Sequence, residues 1–153
     1  MLWLSNVRWP YGKRREDVKI FFDNCTSPVL ASTLDGFVSH RGHHAFHISD
    51  LPCGRSATDV ERINYLASDG PDRIIITGDG RIYKNKAERA AYRAAGLRGF
   101  VLAPAYQKTP LNQVASVLIW RWPDLENLVT IVAGPTLYEL PISRAGKISA
   151  LPL

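Results

Sequence analysis

The sequence has few cysteines and lacks a long hydrophobic run. Its 153 residues include two cysteines, Cys25 and Cys53, too far apart for a Cys-x-x-Cys pair. Such sparse cysteine is typical of a reducing compartment, so we expect two unpaired thiols in a cytoplasmic protein. No segment approaches the roughly 18 apolar residues that a membrane-spanning helix requires. We therefore expect no membrane partner.

The first 17 residues lack the apolar core of a secretory signal peptide, because Arg8 and the basic run 13–15 interrupt it. We interpret residues 1–17 as a basic N-terminal arm or an extended start before the first strand. Internal repeats and low-complexity tracts are also missing. The remaining length suits one domain over residues 18–125, with C-terminal strands or a hairpin over 126–153 packed on it.

Positive charge exceeds negative charge, with 19 Lys and Arg against 14 Asp and Glu, a net charge of +5 and a pI near 9.4. The excess favours acidic partners, nucleic acid above all, although many proteins without such partners are basic too. A hydrophobic fraction of 46% is sufficient for a packed core. Charge alone therefore leaves function open.

Short apolar segments alternate with helical patterns along most of the chain. The predicted strands cover residues 18–23, 45–48, 73–77 and 99–103. The predicted helices cover 27–42, 58–68, 84–95 and 109–121, the last stopped by Pro123. From Leu128 onward the pattern is short, alternating and interrupted by Gly and Pro, which predicts antiparallel strands. The alternation indicates an α/β domain with a mostly parallel central sheet and a C-terminal β extension.

Two of the predicted strands end in a carboxylate. Asp23 follows the apolar run VKIFF, and Asp79 follows RIIITG. Ligands of parallel sheets bind beyond the carboxyl ends of the strands, so both acids are expected at that edge. Each segment is also a good turn former, and either acid alone could simply end its strand.

A third acid is expected from the helix that Thr58 opens. The apolar residues of this helix form one stripe, and at about 100° per residue Asp59 lies roughly 50° from its centre. Glu61 lies roughly 150° away, and it is also placed to complete a capping box with Thr58. We therefore prefer Asp59 as the third acid at the sheet edge and keep Glu61 as its fallback.

Three carboxylates within a few ångströms of one another repel, at about 4 kcal/mol per pair at 4 Å and an effective dielectric of 20. Such a cluster is tolerated when a pKa rises or when a cation binds. Oxygen ligands without His or Cys favour a hard ion, so Mg²⁺ or Mn²⁺ is the expected cofactor. His40, His43, His44 and His47 are close in sequence, but their predicted elements do not suggest a zinc site.

The chain resembles the PIN-domain family of metal-dependent ribonucleases, many of them toxins of toxin–antitoxin modules. The resemblance covers residues 18–104. The segments that carry it are KIFFDN…SP at 19–28, GHHAFHISDL at 42–51, TD at 58–59 and IIITGDG at 74–80. It implies a three-layer α/β/α fold, an RNA substrate such as tRNA, an antitoxin protein that blocks the sheet edge, and an endoribonuclease activity that leaves a 3′-hydroxyl.

By this resemblance Asp23, Asp59 and Asp79 bind the metal. Thr77 corresponds to a supporting hydroxyl and Asn24 to a polar neighbour of the first acid. The family often has a fourth acid shortly after the third strand, whereas here the next carboxylate after Asp79 is Glu88. Glu88 is therefore a fallback acid, and a single metal, or a second site completed by the substrate, is favoured over two sites built by the protein alone.

A basic segment follows the third acid. Lys86, Arg89 and Arg93 share one helical face at i, i+3 and i+7, and they could bind RNA phosphates or form an ordinary solvated face. The flanking Arg81 and Lys84 are further candidates for RNA binding.

Two other functions stay open, as does the quaternary structure. A non-catalytic RNA-binding or interaction module is one, because the fourth acid is displaced. A haloacid-dehalogenase-like phosphatase with Asp23 as nucleophile is the other, although Cys25 stands where that family has a second Asp. The last strands could form the edge of a homodimer, a lid or an extension of the sheet.

Overall fold

The computed structural model of the protein describes residues 18–53, 56–68, 73–80 and 85–153. Within these ranges the chain forms six strands and four α-helices. The strands are β1 (Lys19–Phe22), β2 (His44–His47), β3 (Arg73–Thr77), β4 (Arg98–Leu102), β5 (Thr136–Leu140) and β6 (Ser149–Ala150). The helices are α1 (Pro28–Val38), α2 (Asp59–Ser68), α3 (Lys86–Ala95) and α4 (Leu111–Ile131).

The strands form one sheet in the order β2-β1-β3-β4-β5-β6. The first five run parallel to one another, and β6 pairs antiparallel with β5 at the edge. The α/β class and the mostly parallel sheet predicted from the alternating pattern are confirmed. Because β1 and β3 are direct neighbours, their carboxyl ends lie side by side.

Side chains of the central strands alternate between two cores. Ile74 and Ile76 of β3 belong to the core formed with α1 and α4, whereas Ile75 belongs to the core formed with α2 and α3. All five residues of β3 are buried, as expected for a strand covered on both faces. The molecule is therefore a three-layer α/β/α structure, as the PIN resemblance implies.

Local sequence signals fix the starts of the helices. Ser27 caps α1, with its hydroxyl accepting a hydrogen bond from the Val29 amide at 3.2 Å. Thr58 and Glu61 form the expected capping box before and within α2, through reciprocal contacts of 3.2 and 2.6 Å. The third helix begins at residue 86, slightly later than predicted, because the Asn85 side chain caps it.

The fourth helix corrects one prediction. We expected it to stop at Pro123, yet α4 continues through this proline to Ile131. A proline inside a helix costs about 3 kcal/mol. Beyond it the buried stripe of α4 continues with Leu125 and Val129, which are 1% and 5% exposed. Burying each such side chain contributes about 2 kcal/mol, so packing on the sheet outweighs the proline.

The C-terminal strands correct a second prediction. The segment from Leu128 to Ile131 is helical rather than extended, and β5 pairs parallel with β4 instead of forming an antiparallel hairpin. Only β6 is antiparallel. The proposed division between residues 125 and 126 falls inside α4, and the later strands extend the central sheet.

A buried ion pair joins the end of α1 to α4. Glu126 is 3% exposed and accepts two hydrogen bonds from the Arg41 guanidinium, both at 2.8 Å. The indole nitrogen of Trp122 donates a further bond to Glu126 at 2.7 Å, and His43 Nε2 lies 3.6 Å from the same carboxylate. This network lies at the opposite end of the sheet from Asp23.

We predict that Glu126→Ala lowers the free energy of unfolding by about 2–3 kcal/mol, because the Trp122 indole loses its acceptor inside the core. The cost stays moderate because Arg41 is 38% exposed and can be solvated. Urea denaturation measures the change. The control is Asp50→Ala, which removes an exposed carboxylate outside this network and should cost less than about 1 kcal/mol. Equal losses in the two variants would contradict the role of the network.

Candidate functional site

A pocket of about 360 Å³ lies beyond the carboxyl ends of β1 and β3. It contains four carboxylates from four separate segments of the chain. The lining residues are Asp23, Asn24, Cys25, Asp59, Asp79, Asn85 and Glu88. The structure thus brings together the three acids expected at this edge, together with one of the two fallback acids. The other, Glu61, is exposed and engaged in the capping box.

Asp23 is the most buried of these acids, at 8% exposure. Its backbone amide donates to the Ile76 carbonyl at 3.2 Å, which extends the β1–β3 pairing by one residue. One carboxylate oxygen accepts from the Cys25 amide at 3.1 Å, and the other accepts from the Thr77 hydroxyl. These contacts fix the acid that follows β1 from two sides, through the loop after β1 and through the last residue of β3.

Opposing effects act on the pKa of Asp23. Burial raises this pKa above its ordinary value, while the Thr77 hydroxyl and the amides of Cys25 and Gly78 lower it by donating to the charged form. The nearby Asp59 raises it further. The net direction is upward, so an ionised Asp23 is held here at some cost in stability.

The loop after β3 is joined to the same site through Thr77. The hydroxyl that donates to Asp23 also accepts a hydrogen bond from the Asp79 amide at 3.1 Å. Gly78 lies between them, close to the β1–α1 loop: a Cβ at this position would meet the Cys25 carbonyl oxygen at 3.2 Å. Thr77 therefore couples the positions of the first and third acids, and its role as the supporting hydroxyl of the PIN resemblance stays a prediction.

Asp59 enters the pocket from the first turn of α2. Its side chain is 47% exposed, and its Oδ1 lies 3.2 Å from Nη1 of the buried Arg62 one turn later. With the amide of Asn24 turned so that its oxygen faces Arg62, that oxygen accepts from Nη1 and Nη2 at 2.9 and 2.8 Å. One guanidinium thus connects two walls of the pocket.

Glu88 supplies the fourth carboxylate from the first turn of α3. Asn85 caps this helix and accepts from the amide of Glu88 at 3.4 Å. Partial burial raises the pKa of Glu88, and the neighbouring Asp59 and Asp79 raise it further, with Asp59 within hydrogen-bonding reach. The fourth acid, which the residues directly after Asp79 lack, is therefore supplied by Glu88 at the start of α3.

The side chains that line the pocket are of the chemical types that bind a hard divalent cation. Four carboxylates and two amides offer oxygen ligands, which Mg²⁺ and Mn²⁺ prefer. Among the described residues, however, no three His, Cys, Asp or Glu side chains are close enough to share one ion as they stand. The donor set fits such an ion, and binding would require these side chains to draw together.

The basic residues expected to bind RNA are only partly described. Lys86 and Arg93 are exposed on α3, and Arg89 is half-buried on the same helix. The pocket-facing Glu88 lies on an adjacent face, since Glu88 and Arg89 are separated by about 100° around the helix. Arg81 and Lys84 lie outside the described residues. The role of this segment in RNA binding stays a prediction.

Sequence reasoning missed three features of the pocket. Cys25 is exposed at its wall, Asn85 lines it as a helix cap, and Arg62 supports it from behind. Asn85 could have been found as a capping residue three positions before Glu88, and Arg62 by its i, i+3 spacing from Asp59. His47 lies beside the site loop, with Nε2 3.0 Å from the Thr26 carbonyl oxygen.

A family model described as a PIN like domain matches residues 18–104. The chain belongs to the PIN-like domain family. The match covers more than half of the chain, and it includes all four carboxylates of the pocket but neither α4 nor the last two strands. No curated protein and no solved structure matches the chain. Within the described ranges, no helix of this PIN-like protein is long and apolar enough to cross a membrane.

We predict that Glu88→Gln stabilises the metal-free protein at neutral pH. A folded-state pKa above the ordinary value means that ionising Glu88 costs stability, and this cost appears as the pH rises through that pKa. The gain should therefore be absent near pH 4 and present near pH 7.5, and it should stay below about 1 kcal/mol because Glu88 is half-exposed. Urea denaturation in EDTA at both pH values measures it.

The matched control is Glu61→Gln, which neutralises a carboxylate outside the pocket and keeps an acceptor for the Thr58 amide. It should show no gain at neutral pH. A gain for Glu88→Gln that is the same at both pH values would contradict the assigned cause.

Proposed function

We propose that this PIN-like protein is a metal-dependent endoribonuclease that hydrolyses RNA phosphodiesters. The observation that carries the proposal is the meeting of Asp23, Asp59, Asp79 and Glu88 in one open pocket at the carboxyl edge of the sheet. The alternating pattern of strands and helices brings these residues together from distant parts of the sequence. A surface-exposed acidic pocket in a protein of net charge +5 is unusual for a purely structural role.

Asp23, Asp59 and Asp79, with Glu88 as the fourth acid, would hold Mg²⁺ or Mn²⁺. When bound, such an ion would supply Lewis-acid activation of a water molecule and positive charge opposite the phosphodiester. Thr77 keeps the Asp23 carboxylate oriented, and Asn24 holds the β1–α1 loop against Arg62. These contacts fix the first acid before any ligand binds, which reduces the reorganisation that the reaction requires.

The wider biological role is also part of the proposal. We extend the proposal to what the PIN resemblance implies: a toxin of a toxin–antitoxin module that acts on a structured RNA such as tRNA and is inhibited by an antitoxin protein covering the pocket. A homodimer stays a prediction. The exposed residues of α3 next to the pocket would contact the phosphates of the substrate on either side of the cleaved bond.

A non-catalytic RNA-binding module is the second candidate function. The observation that favours it is the spacing of the carboxylates, of which no three among the described residues can share an ion without rearrangement. The phosphatase alternative is disfavoured by its own motif, since Cys25 is a thiol at the wall of the pocket where a second Asp is required. Cleavage assays separate the first two functions.

We predict that the purified protein cleaves single-stranded RNA with Mg²⁺ or Mn²⁺ and that Asp79→Asn lowers the rate by at least about 100-fold. The loss follows from removing one ligand of an ion that contributes several kcal/mol to the transition state. RNA binding, measured by filter binding, should stay near the wild-type level. The assay follows labelled RNA with and without EDTA.

Glu61→Gln is the control for this experiment, because it lies on the same helix as Asp59 but does not line the pocket. It should cleave like the wild type. Cleavage that continues undiminished in excess EDTA would end the metal proposal. Binding without any cleavage would favour the non-catalytic module.

We predict that the double variant Lys86→Ala, Arg89→Ala flattens the salt dependence of RNA binding. Each lost phosphate contact reduces the slope of log K against log salt by about 0.7 for a single strand, so two contacts remove about 1.4. Fluorescence anisotropy over a salt series measures the slope. The control is Arg144→Ala, Lys147→Ala, which removes the same charge from an exposed loop beside α4. Equal slopes for wild type and the α3 variant would exclude this helix from the RNA path.

A further inference from the structure

Arg62 is a buried cation behind the wall of the acidic pocket. Its side chain is 8% exposed, and it is contributed by α2 one turn after Asp59. Burying a guanidinium is costly unless acceptors satisfy it. Two of these acceptors are the Asp59 carboxylate and the Asn24 amide oxygen, which belong to different walls of the pocket.

The contact with Asp59 competes with metal binding. The oxygen of Asp59 that lies 3.2 Å from Arg62 is a potential metal ligand, and an oxygen that accepts from a guanidinium is less available to a cation. This competition agrees with the spacing of the acids, of which no three in the described part of the chain can hold one ion as they stand. Asp59 must leave Arg62, at least in part, to join Asp23 and Asp79.

The two partners differ in their freedom to move. The Asp59 side chain is 47% exposed at the surface of the first turn, whereas Arg62 is almost fully buried and its fork is also held by Asn24. When a cation enters, the carboxylate is therefore the group that turns. Arg62 stays in place and continues to support the loop that carries Asp23.

We propose that Arg62 is a positioning residue of this site, an internal counter-cation that holds the Asp59 carboxylate until a divalent cation takes it over. The proposal rests on the proposed function in one respect, that the pocket binds such a cation. It adds that the Asp59 carboxylate is paired with a buried cation before loading and that this pairing weakens metal binding. Arg62 also contacts both Asn24 and Asp59, so it fixes the two walls of the pocket relative to each other.

The test is Mn²⁺ binding to the EDTA-stripped full chain without RNA, measured by isothermal titration calorimetry. We expect Arg62→Met to bind Mn²⁺ roughly three- to ten-fold more tightly than the wild type, because one positive charge and one competitor for Asp59 are lost. The gain should shrink at high salt. It should also shrink in the Asp59→Asn background, where no carboxylate is left for Arg62 to hold.

Arg41→Met is the matched control, since it removes the same charge and a charged hydrogen-bonded pair at the far end of the sheet. Its Mn²⁺ affinity should equal that of the wild type although it is less stable. Arg62→Lys keeps the charge but loses the planar fork, so its Mn²⁺ affinity should lie between those of the wild type and Arg62→Met. If Arg62→Met does not fold, Arg62→Gln replaces it, because its amide can still contact Asn24 or Asp59.

Unchanged or weaker Mn²⁺ binding in the folded Arg62 variant would overturn the proposal and leave Arg62 as a structural contact only. Mn²⁺ binding by the Arg62 variant together with no measurable binding by the wild type would support the proposal most strongly. Absence of binding in both would overturn it. Because the readout is binding to the protein alone, a failure of RNA cleavage, which would refute the proposed function, leaves this result interpretable.

Discussion

The concentration of negative charge at one edge of the sheet is the constraint on which this site depends. Parallel strands bring the ends of β1 and β3 together, and α2 and α3 begin beside them, so four carboxylates meet in one pocket. Burial raises the pKa of Asp23 and of Glu88, and the neighbouring carboxylates raise both further, so ionising the cluster opposes folding. Hydrogen bonds to Asp23 and the buried Arg62 guanidinium beside Asp59 offset part of this cost. A cation that bound only the folded protein would relieve this repulsion and so stabilise the fold.

The acids are not equivalent in how they are held. Asp23 is buried and receives hydrogen bonds from two loops, whereas Asp59 is half-exposed and Glu88 lies on an open helix turn. The first acid is thus a fixed reference, and the others can adjust around it. The difference in mobility explains how the pocket can have suitable oxygen ligands although no three of its described carboxylates are close enough to share one ion.

Much of the fold and of the pocket was predictable because the deciding signals are local. An apolar strand followed by an acid predicted Asp23 and Asp79, and the angular position on a helix separated Asp59 from Glu61. The passage of α4 through Pro123 was not predictable, since it depends on packing against the sheet. The parallel pairing of β5 and the inward direction of Glu88 likewise depend on where α3 and α4 lie.

The support of Asp23 by main-chain amides determines which neighbouring positions can change during evolution. Position 25 contributes its amide and carbonyl, so many side chains could replace the cysteine without loosening the first acid. Position 78 is different, because any side chain would press on the carbonyl of residue 25. Homologous chains should therefore vary freely at the first position and retain glycine at the second, whatever ligand each of them binds.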